Sequence, residues 1–435
     1  MDKDKIVVGL DIGTTKICAI VGRKNEFGKL EILGQGKAVS DGVIRGMVTN
    51  IEKTINAINK AVKQAEEESG VIIGEVNVGI AGQHIKSAIH HGSIMRDSRE
   101  DEICVKDVNR LVNDMYKIVT PPGNEIIHVM PQDYTVDFES GIKDPVGISG
   151  MRLEADFHVI TAHTTAIKNI NKCIIRAKGG KENLEIDNLI LEPIASSMSV
   201  LSDEEKEAGV AIVDIGGGTT DLAVFYDGII RHTAVIPFGG NIITADIKEG
   251  CLVLQNQAEL LKTKFGRAIS AEASEKEVIS IPGLKNRQPK EISVKNLAAV
   301  IEARMQEIIE LVYAEIVRSG YQSKLAGGLV ITGGGSQLIG VRELFEYMTG
   351  IDTRIGYPNE HLGKCKSENV KSPSYATGVG LVLSGFKALN ERQEIYNGFQ
   401  LPLAGNKVVK KDNSKEFFKK ILDKTKGLLM DDMNN

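Results

Sequence analysis

The feature that most constrains this chain is a motif that occurs twice. Residues 5–12, KIVVGLDI, are a β-branched apolar run ending in Asp11-Ile-Gly13-Thr14-Thr15-Lys16, and CAIVG at 18–22 reads as the returning strand. About 200 residues later GVAIVDIGGGTTDLAVFYDG repeats the pattern, with Asp214-Ile-Gly216-Gly217-Gly218-Thr219-Thr220-Asp221 at the turn. Two such hairpins predict two related α/β halves, and 435 residues suffice for several compact subdomains, each with its own core. A composition of 42% hydrophobic and 26% charged residues is that of a folded globular protein. The net charge of -5 supplies no basic field, so nucleic acid is not an expected partner.

Between and around the hairpins the texture changes in an ordered way. Residues 50–69 space Ile51, Ile55, Ile58 and Val62 at helical intervals and stop at Gly70. From 84 to about 165, charge-rich RDSREDE and Pro- and Gly-bearing segments alternate with strand-like runs, which predicts a small α+β insertion. Residues 240–265 and 293–318 read as helical. GGLVITGGGSQLIGV is a third strand entering a Gly-rich turn, and the core is expected to close near residue 389.

The hairpins carry a chemistry. Glycine lets the backbone turn so that N–H groups converge on phosphate oxygens, the Thr hydroxyls and Lys16 add donors, and Asp11 and Asp214 can hold a hydrated Mg²⁺. Either motif alone is also a plain tight turn. The third element, Thr332-Gly333-Gly334-Gly335-Ser336, has the strand-to-helix setting for close backbone approach to an adenine ring and α-phosphate. Together these elements resemble the actin, sugar kinase and DnaK-type chaperone superfamily. That resemblance implies an actin-like, two-lobed α/β fold with duplicated ribonuclease-H-like subdomains and ATP with Mg²⁺ between the lobes. It also implies that Glu192, in LEPIAS, positions an attacking water, although it can equally be a structural strand-end carboxylate. Gly240, Glu259 and Lys262 are implied near the nucleotide. The last two share a helix face and would otherwise form a solvated ion pair.

The insertion narrows the resemblance. AGQHI at 81–85, HVMPQDYTVD at 128–137 and GIKDPVGISGMRLEADFHVIT at 141–161 are similar to the small domain of the FtsA family of bacterial cell-division proteins, and the similarity extends over residues 5 to about 389. It implies a first-lobe core of residues 1–83, 166–203 and 365–389 and an inserted domain of 84–165. The second-lobe core is then 204–238 and 317–364, with an FtsZ-binding subdomain at 239–316. Self-assembly into filaments, contacts with later division proteins and capture of the FtsZ C-terminal tail follow from the same resemblance. Arg304 matches a basic position of the FtsZ-binding surface and Lys290 a second one, where basic groups suit an acidic tail. Both are also ordinary solvated charges. The rival readings are a small-molecule kinase of the same superfamily, or a pilus-assembly relative of the family.

The C-terminal stretch adds a separate signal. Residues 390–414 are polar and read as a flexible linker. On a helical wheel of residues 415–430, Phe417, Phe418, Ile421, Leu422, Leu428 and Leu429 fall within an arc of about 140°, while Lys415, Lys419, Lys420, Lys424 and Lys426 fill the rest. An amphipathic helix at 415–435 of this kind lies in a headgroup boundary, gaining roughly 25 cal/mol per Å² buried and about 1 kcal/mol per Lys on anionic lipid. It could instead fold back on its own core. No signal peptide or roughly 18-residue apolar span is visible, so the expected location is the cytoplasmic face of the cell membrane at the division site, held peripherally. Five scattered cysteines without a C-x-x-C pair predict neither a disulfide framework nor a zinc site.

Overall fold

A computed structural model describes residues 5–97, 101–180, 184–283 and 288–398. The stretch from 399 onward, with the expected membrane helix and its Phe417, Phe418, Ile421, Leu422, Leu428, Leu429, Lys419 and Lys420, lies outside the described residues.

Each motif folds into an antiparallel hairpin because its two arms are unbroken β-branched runs joined by a turn of glycine and threonine. Ile6–Ile12 pairs with Lys16–Lys24, and Val210–Ile215 pairs with Thr220–Tyr226. Each hairpin is extended in the same way. A third antiparallel strand, Leu30–Val39 or Ile229–Ile236, pairs with the returning arm. On the other side the first arm takes a parallel strand, Glu75–Ile80 or Leu329–Thr332. The first sheet is completed by Glu185–Leu191 and Leu362–Cys365, the second by Thr353–Ile355. The hairpin arms are almost wholly buried, as strands covered on both faces must be.

The helix Ile51–Ser69 covers the first sheet. Asn50 caps its start, accepting from Lys53 N at 3.0 Å, and Gly70 ends it in the left-handed conformation at φ 75°. Its apolar stripe of Ile55, Ile58, Ala61, Val62 and Ala65 joins the core with Leu10, Ile17 and Val78. Helix Val294–Ser319 covers the second sheet through Leu297, Ile301, Met305, Ile308 and Val312. Helix Glu192–Val200 connects the halves, since Ala195 packs on Ile190 and Leu381 while Val200 packs on Ile212 and Val330.

The insertion is a four-stranded antiparallel sheet ordered Lys86–Met95, Arg152–His163, Asn124–Val136, Glu139–Ile142, with helix Val105–Met115 on one face. Leu111, Met115, Leu153 and Phe157 form its separate core.

Two expectations change. The helical stretch 240–265 is two helices, Gly240–Gly250 and Gln255–Phe265, broken where Leu252 takes φ 49°. The last helix runs Ala376–Gly398, past the point where the linker was expected. Residues 389–396 contain neither Gly nor Pro and are mostly good helix formers, so nothing local stops it there.

Candidate functional site

The two hairpin turns face each other, and their contact is close. A Cβ placed on Gly217 would lie 2.3 Å from Thr15 Oγ1, and one on Gly218 would lie 2.5 Å from Thr14 Oγ1. Only residues without a side chain allow the loops to meet at this distance. The third loop enters beside them. Gly333 takes φ +83°, and a Cβ there would fall 2.3 Å from Asp214 Oδ1. Together the loops enclose a cavity of about 580 Å³.

Of the residues singled out from sequence, Asp11, Gly13, Thr14, Thr15 and Lys16 line this cavity. So do Asp214, Gly216, Gly217, Gly218 and Thr219 of the second turn and Gly333, Gly334 and Gly335 of the third. Glu192, Gly240, Glu259 and Lys262 complete that set. Two do not line it. The Thr220 hydroxyl donates to the Phe238 carbonyl at 2.9 Å and the Ser336 hydroxyl to the Gly333 carbonyl at 2.8 Å, so both brace loop backbone. Arg304 and Lys290 are elsewhere in the second lobe, on helix Val294–Ser319 and at the start of strand Lys290–Ser293. Arg304 is not a free charge: its Nε donates to Asp246 at 2.6 Å, and Glu307 takes a further guanidinium nitrogen.

Besides Glu259, four carboxylates converge on the cavity. Burial raises Asp11 to about 6, with Lys16 opposing the rise and Asp214 adding to it. Burial and then Asp214 raise Asp221 to about 8. Glu192 is pushed well above the usual carboxylate range by burial and by Asp11, Asp221 and Asp214. Asp214 is raised by burial, but hydrogen bonds from Ser196 Oγ at 2.5 Å and Thr377 Oγ1 at 3.0 Å hold its charge. Asp221 accepts from Thr219 Oγ1 at 2.9 Å through Oδ2, while its buried Oδ1 has no hydrogen-bond partner. Lys16 hydrogen-bonds the Ser374 carbonyl and lies 4.0 Å above the Tyr375 ring. At the far wall Lys262 Nζ is held by the Gly240 carbonyl at 2.9 Å, Thr244 Oγ1 at 2.8 Å and Glu259 at 2.8 Å.

The sequence reading assigned no role to Asp221, Ser196, Thr244 or Thr377. Asp221 had a signal, because it closes the second motif and pairs with Asp214 across the hairpin. The others carry no local pattern; they reach the site only through tertiary packing.

Comparison with known proteins follows the same lines as the geometry. Residues 211–380 match the family model described as cell division protein FtsA, and residues 82–161 match the SHS2 domain inserted in FtsA. The cell division protein FtsA of Pseudomonas aeruginosa is 41% identical over 383 residues, covering 88% of this chain and 90% of that one. The chain belongs to the FtsA family. Among solved structures, a chain of the PilM-PilN type IV pilus biogenesis complex aligns with a TM-score of 0.63 at 15% identity, over 87% of this chain and 98% of that one. MreB5 of Spiroplasma citri bound to ADP aligns with a TM-score of 0.51 at 17% identity, over 90% of this chain and 99% of that one. The fold is therefore the mixed α/β, actin-like fold expected from sequence, with the FtsA family's inserted domain. The PilM likeness extends to the fold alone, so the pilus-assembly alternative gains nothing from it. Among the described residues no helix is long and apolar enough to cross a membrane.

Proposed function

We propose that this FtsA-family chain binds ATP between its lobes and acts as a nucleotide-switched tether, polymerising on the cytoplasmic face of the cell membrane and holding FtsZ filaments there. The observation that carries the reading is the convergence of three Gly-rich loops and Lys16 on one cavity between the lobes, in a chain of this family.

The residues fit a triphosphate and a hard cation. Backbone amides of the two turns and the Lys16 ammonium would provide donors for phosphate oxygens. Asp11, Asp214, Asp221 and Glu192 form an all-oxygen set suited to Mg²⁺, and the unpartnered Oδ1 of Asp221 is an acceptor awaiting a donor. Among the described residues no three His, Cys, Asp or Glu side chains form a direct ligand group. We therefore assign these carboxylates to an ion's water shell. When bound, Mg²⁺ neutralises phosphate charge. The chain's own part is to orient: Ser196 and Thr377 fix Asp214, and Glu192 stands at the cavity wall where it can direct a water. Lys262 and Glu259, braced by Thr244, face the same cavity at the site proposed for the nucleoside.

Nucleotide held by both hairpins would favour the closed lobes and so the contacts of a filament. A single short lipid-binding helix is a reversible anchor; many copies in one filament hold by avidity. We assign FtsZ-tail capture to the 239–316 subdomain. There Arg304 would exchange Asp246 and Glu307 for the partner's carboxylates, and Lys290 would add a second charge. Recruitment of later division proteins is assigned to the inserted domain.

The test is co-sedimentation with vesicles containing anionic lipid, ATP and Mg²⁺, comparing the full chain with one ending at residue 413, each with and without an FtsZ C-terminal peptide. Pelleting of the full chain alone, with the peptide, is the expected outcome. If both versions remain in solution with ATP bound, the tether reading fails and phosphoryl transfer to a soluble substrate becomes the activity to assay.

A further inference from the structure

The inserted domain is rooted in the first lobe, between strands Glu75–Ile80 and the helix Thr164–Arg176, yet its sheet is seated on the second lobe. The seat is strand Ile229–Ile236. That strand pairs with Thr220–Tyr226 on one side and, among the described residues, has no strand on the other, so its outer edge is free of ladder pairing there. Three strands of the insertion reach this edge. Ser87 Oγ donates to the Thr233 carbonyl at 3.2 Å, Gln132 Nε2 to the Ile230 carbonyl at 2.8 Å, and His158 Nε2 lies 3.0 Å from Thr233 Oγ1. Gln132 and His158 are 7% and 2% exposed, so these bonds are made away from water. Beside them Arg231 pairs with Asp133 at 2.7 Å, and Lys143 with Asp227 at 3.6 Å.

The seat leads directly to the cavity. Val235 pairs with Asp221 and Ile236 with Thr220, so the covered strand is the immediate neighbour of the second motif's far end. The root leads there as well. In the turn between Val43–Ile44 and Met47–Val48, Gly46 N donates to Thr14 Oγ1 at 3.2 Å. Arg45 Cα in the same turn is against Gly218, and Gly46 abuts the Ala81 carbonyl just before the insertion begins.

We propose that the inserted domain is a clasp between the lobes whose engagement on strand Ile229–Ile236 is coupled to occupancy of the cavity. The proposal rests on the nucleotide reading above. Three features make the clasp a two-state element. Its grip combines side-chain hydrogen bonds and ion pairs with the packing of Met130 on the cluster of Phe225 and Ile230, whereas the main apolar cores of the lobes and of the insertion are separate, so release leaves those main cores intact. The buried His158 Nδ1 has no hydrogen-bond partner in the clasped state, so the interface is incompletely satisfied and gains hydration on opening. Finally, the domain is covalently fixed to one lobe and held to the other by non-covalent contacts alone. A ligand that changes the lobe angle must therefore change the clasp, and by linkage the clasp must change the ligand's affinity by the same factor.

The experiment uses the full chain. Binding of a fluorescent ATP analogue with Mg²⁺ to the unmodified chain is measured first. Amide exchange is then followed in segments 229–236, 86–95 and 152–163, with and without nucleotide, in the unmodified chain and in Arg231→Gln and Gln132→Ala. None of these substitutions touches the cavity. Coupling of the usual strength predicts a change in nucleotide affinity of about fivefold or more in the variants, with exchange in 229–236 responding to nucleotide in the unmodified chain. Faster exchange in 229–236 of a variant whose nucleotide affinity stays within twofold of the unmodified chain overturns the proposal. Circular dichroism identifies a variant that has not folded, and the milder Lys143→Ala then takes its place under the same criterion. If the unmodified chain binds no nucleotide, the proposed function fails and the coupling with it, which the first measurement distinguishes from a clasp that opens without effect.

Discussion

The two hairpins have one backbone and two different electrostatic designs. In the first, Asp11 pairs across the strands with Cys18, whose thiol burial raises to about 12 and so keeps neutral, and Lys16 opposes the rise of Asp11. In the second, Asp214 pairs with Asp221, a second carboxylate. Asp214 is stabilised by two hydroxyl donors, while Asp221 is left with one unpartnered oxygen. Lys16 thus supplies a counter-charge that reaches both Asp11 and Asp214, whereas none opposes the rise of Asp221. Within the function proposed above, the difference would make Lys16 of the first turn the cationic donor to phosphate and Asp221 of the second the carboxylate most in need of a cation.

The largest test of this asymmetry is Gly333→Val. The third loop presses on Asp214, and a side chain at φ +83° meets both backbone strain and the carboxylate. A loss exceeding about 3 kcal/mol is expected from strain and overlap together, read as a fall in thermal midpoint. A loss below 1 kcal/mol would mean that the loop is not fixed against Asp214. Ser196→Ala comes next. It leaves a buried carboxylate short of one donor, and about 1.5–3 kcal/mol should be lost in chemical denaturation. A neutral outcome would show that Thr377 alone suffices.

Asp221→Asn should act in two directions: tighter folding without nucleotide at pH 8, and roughly tenfold weaker Mg²⁺-dependent nucleotide binding, about 1.4 kcal/mol. Isothermal titration with and without Mg²⁺ separates them. Equal losses in both conditions would refute the cation role. Lys16→Met should instead weaken nucleotide binding whether or not Mg²⁺ is present.

The smallest effect is the pH dependence of the nucleotide-free chain. Asp221 ionises near 8 when folded against 3.8 as an ordinary carboxylate, so between those values the folded chain holds a proton that the unfolded chain has lost. Stability from this group therefore falls as pH rises from about 4 to 8, and Asp11, near 6, has the same sign. His84, His128 and His158, lowered by burial to about 4 from 6.5, act oppositely, costing stability as pH falls below 6.5. Above pH 6.5, where the histidines no longer contribute, the thermal midpoint is expected to fall as pH rises, and Asp221→Asn should lessen that fall. A midpoint that keeps rising to pH 8 would contradict the burial of Asp221.

Much of the fold was legible because its signals are local. Both hairpins, the helix from Ile51 to Gly70, the α+β character of the insertion and the third glycine turn are written in runs of a few residues, where β-branching, helical spacing and glycine act within one turn of chain. The break at Leu252 was not legible, since it depends on a backbone choice that no residue type there demands. Thr220 and Ser336 were assigned to the cavity by proximity in the motif, but their hydroxyls satisfy loop carbonyls instead.

By itself, then, the sequence determined that two glycine- and threonine-bearing hairpin turns and a third glycine loop exist, and of which residues they consist. Only the tertiary structure decided that Thr15 abuts Gly217, that Ser196 and Thr377 hold Asp214, that Asp221 keeps an oxygen free, and that the insertion reaches across to strand Ile229–Ile236. The physical reason is range: turn chemistry and strand propensity are set by neighbours in sequence, whereas burial and charge pairing are set by groups far apart in the chain whose meeting depends on how the two cores pack.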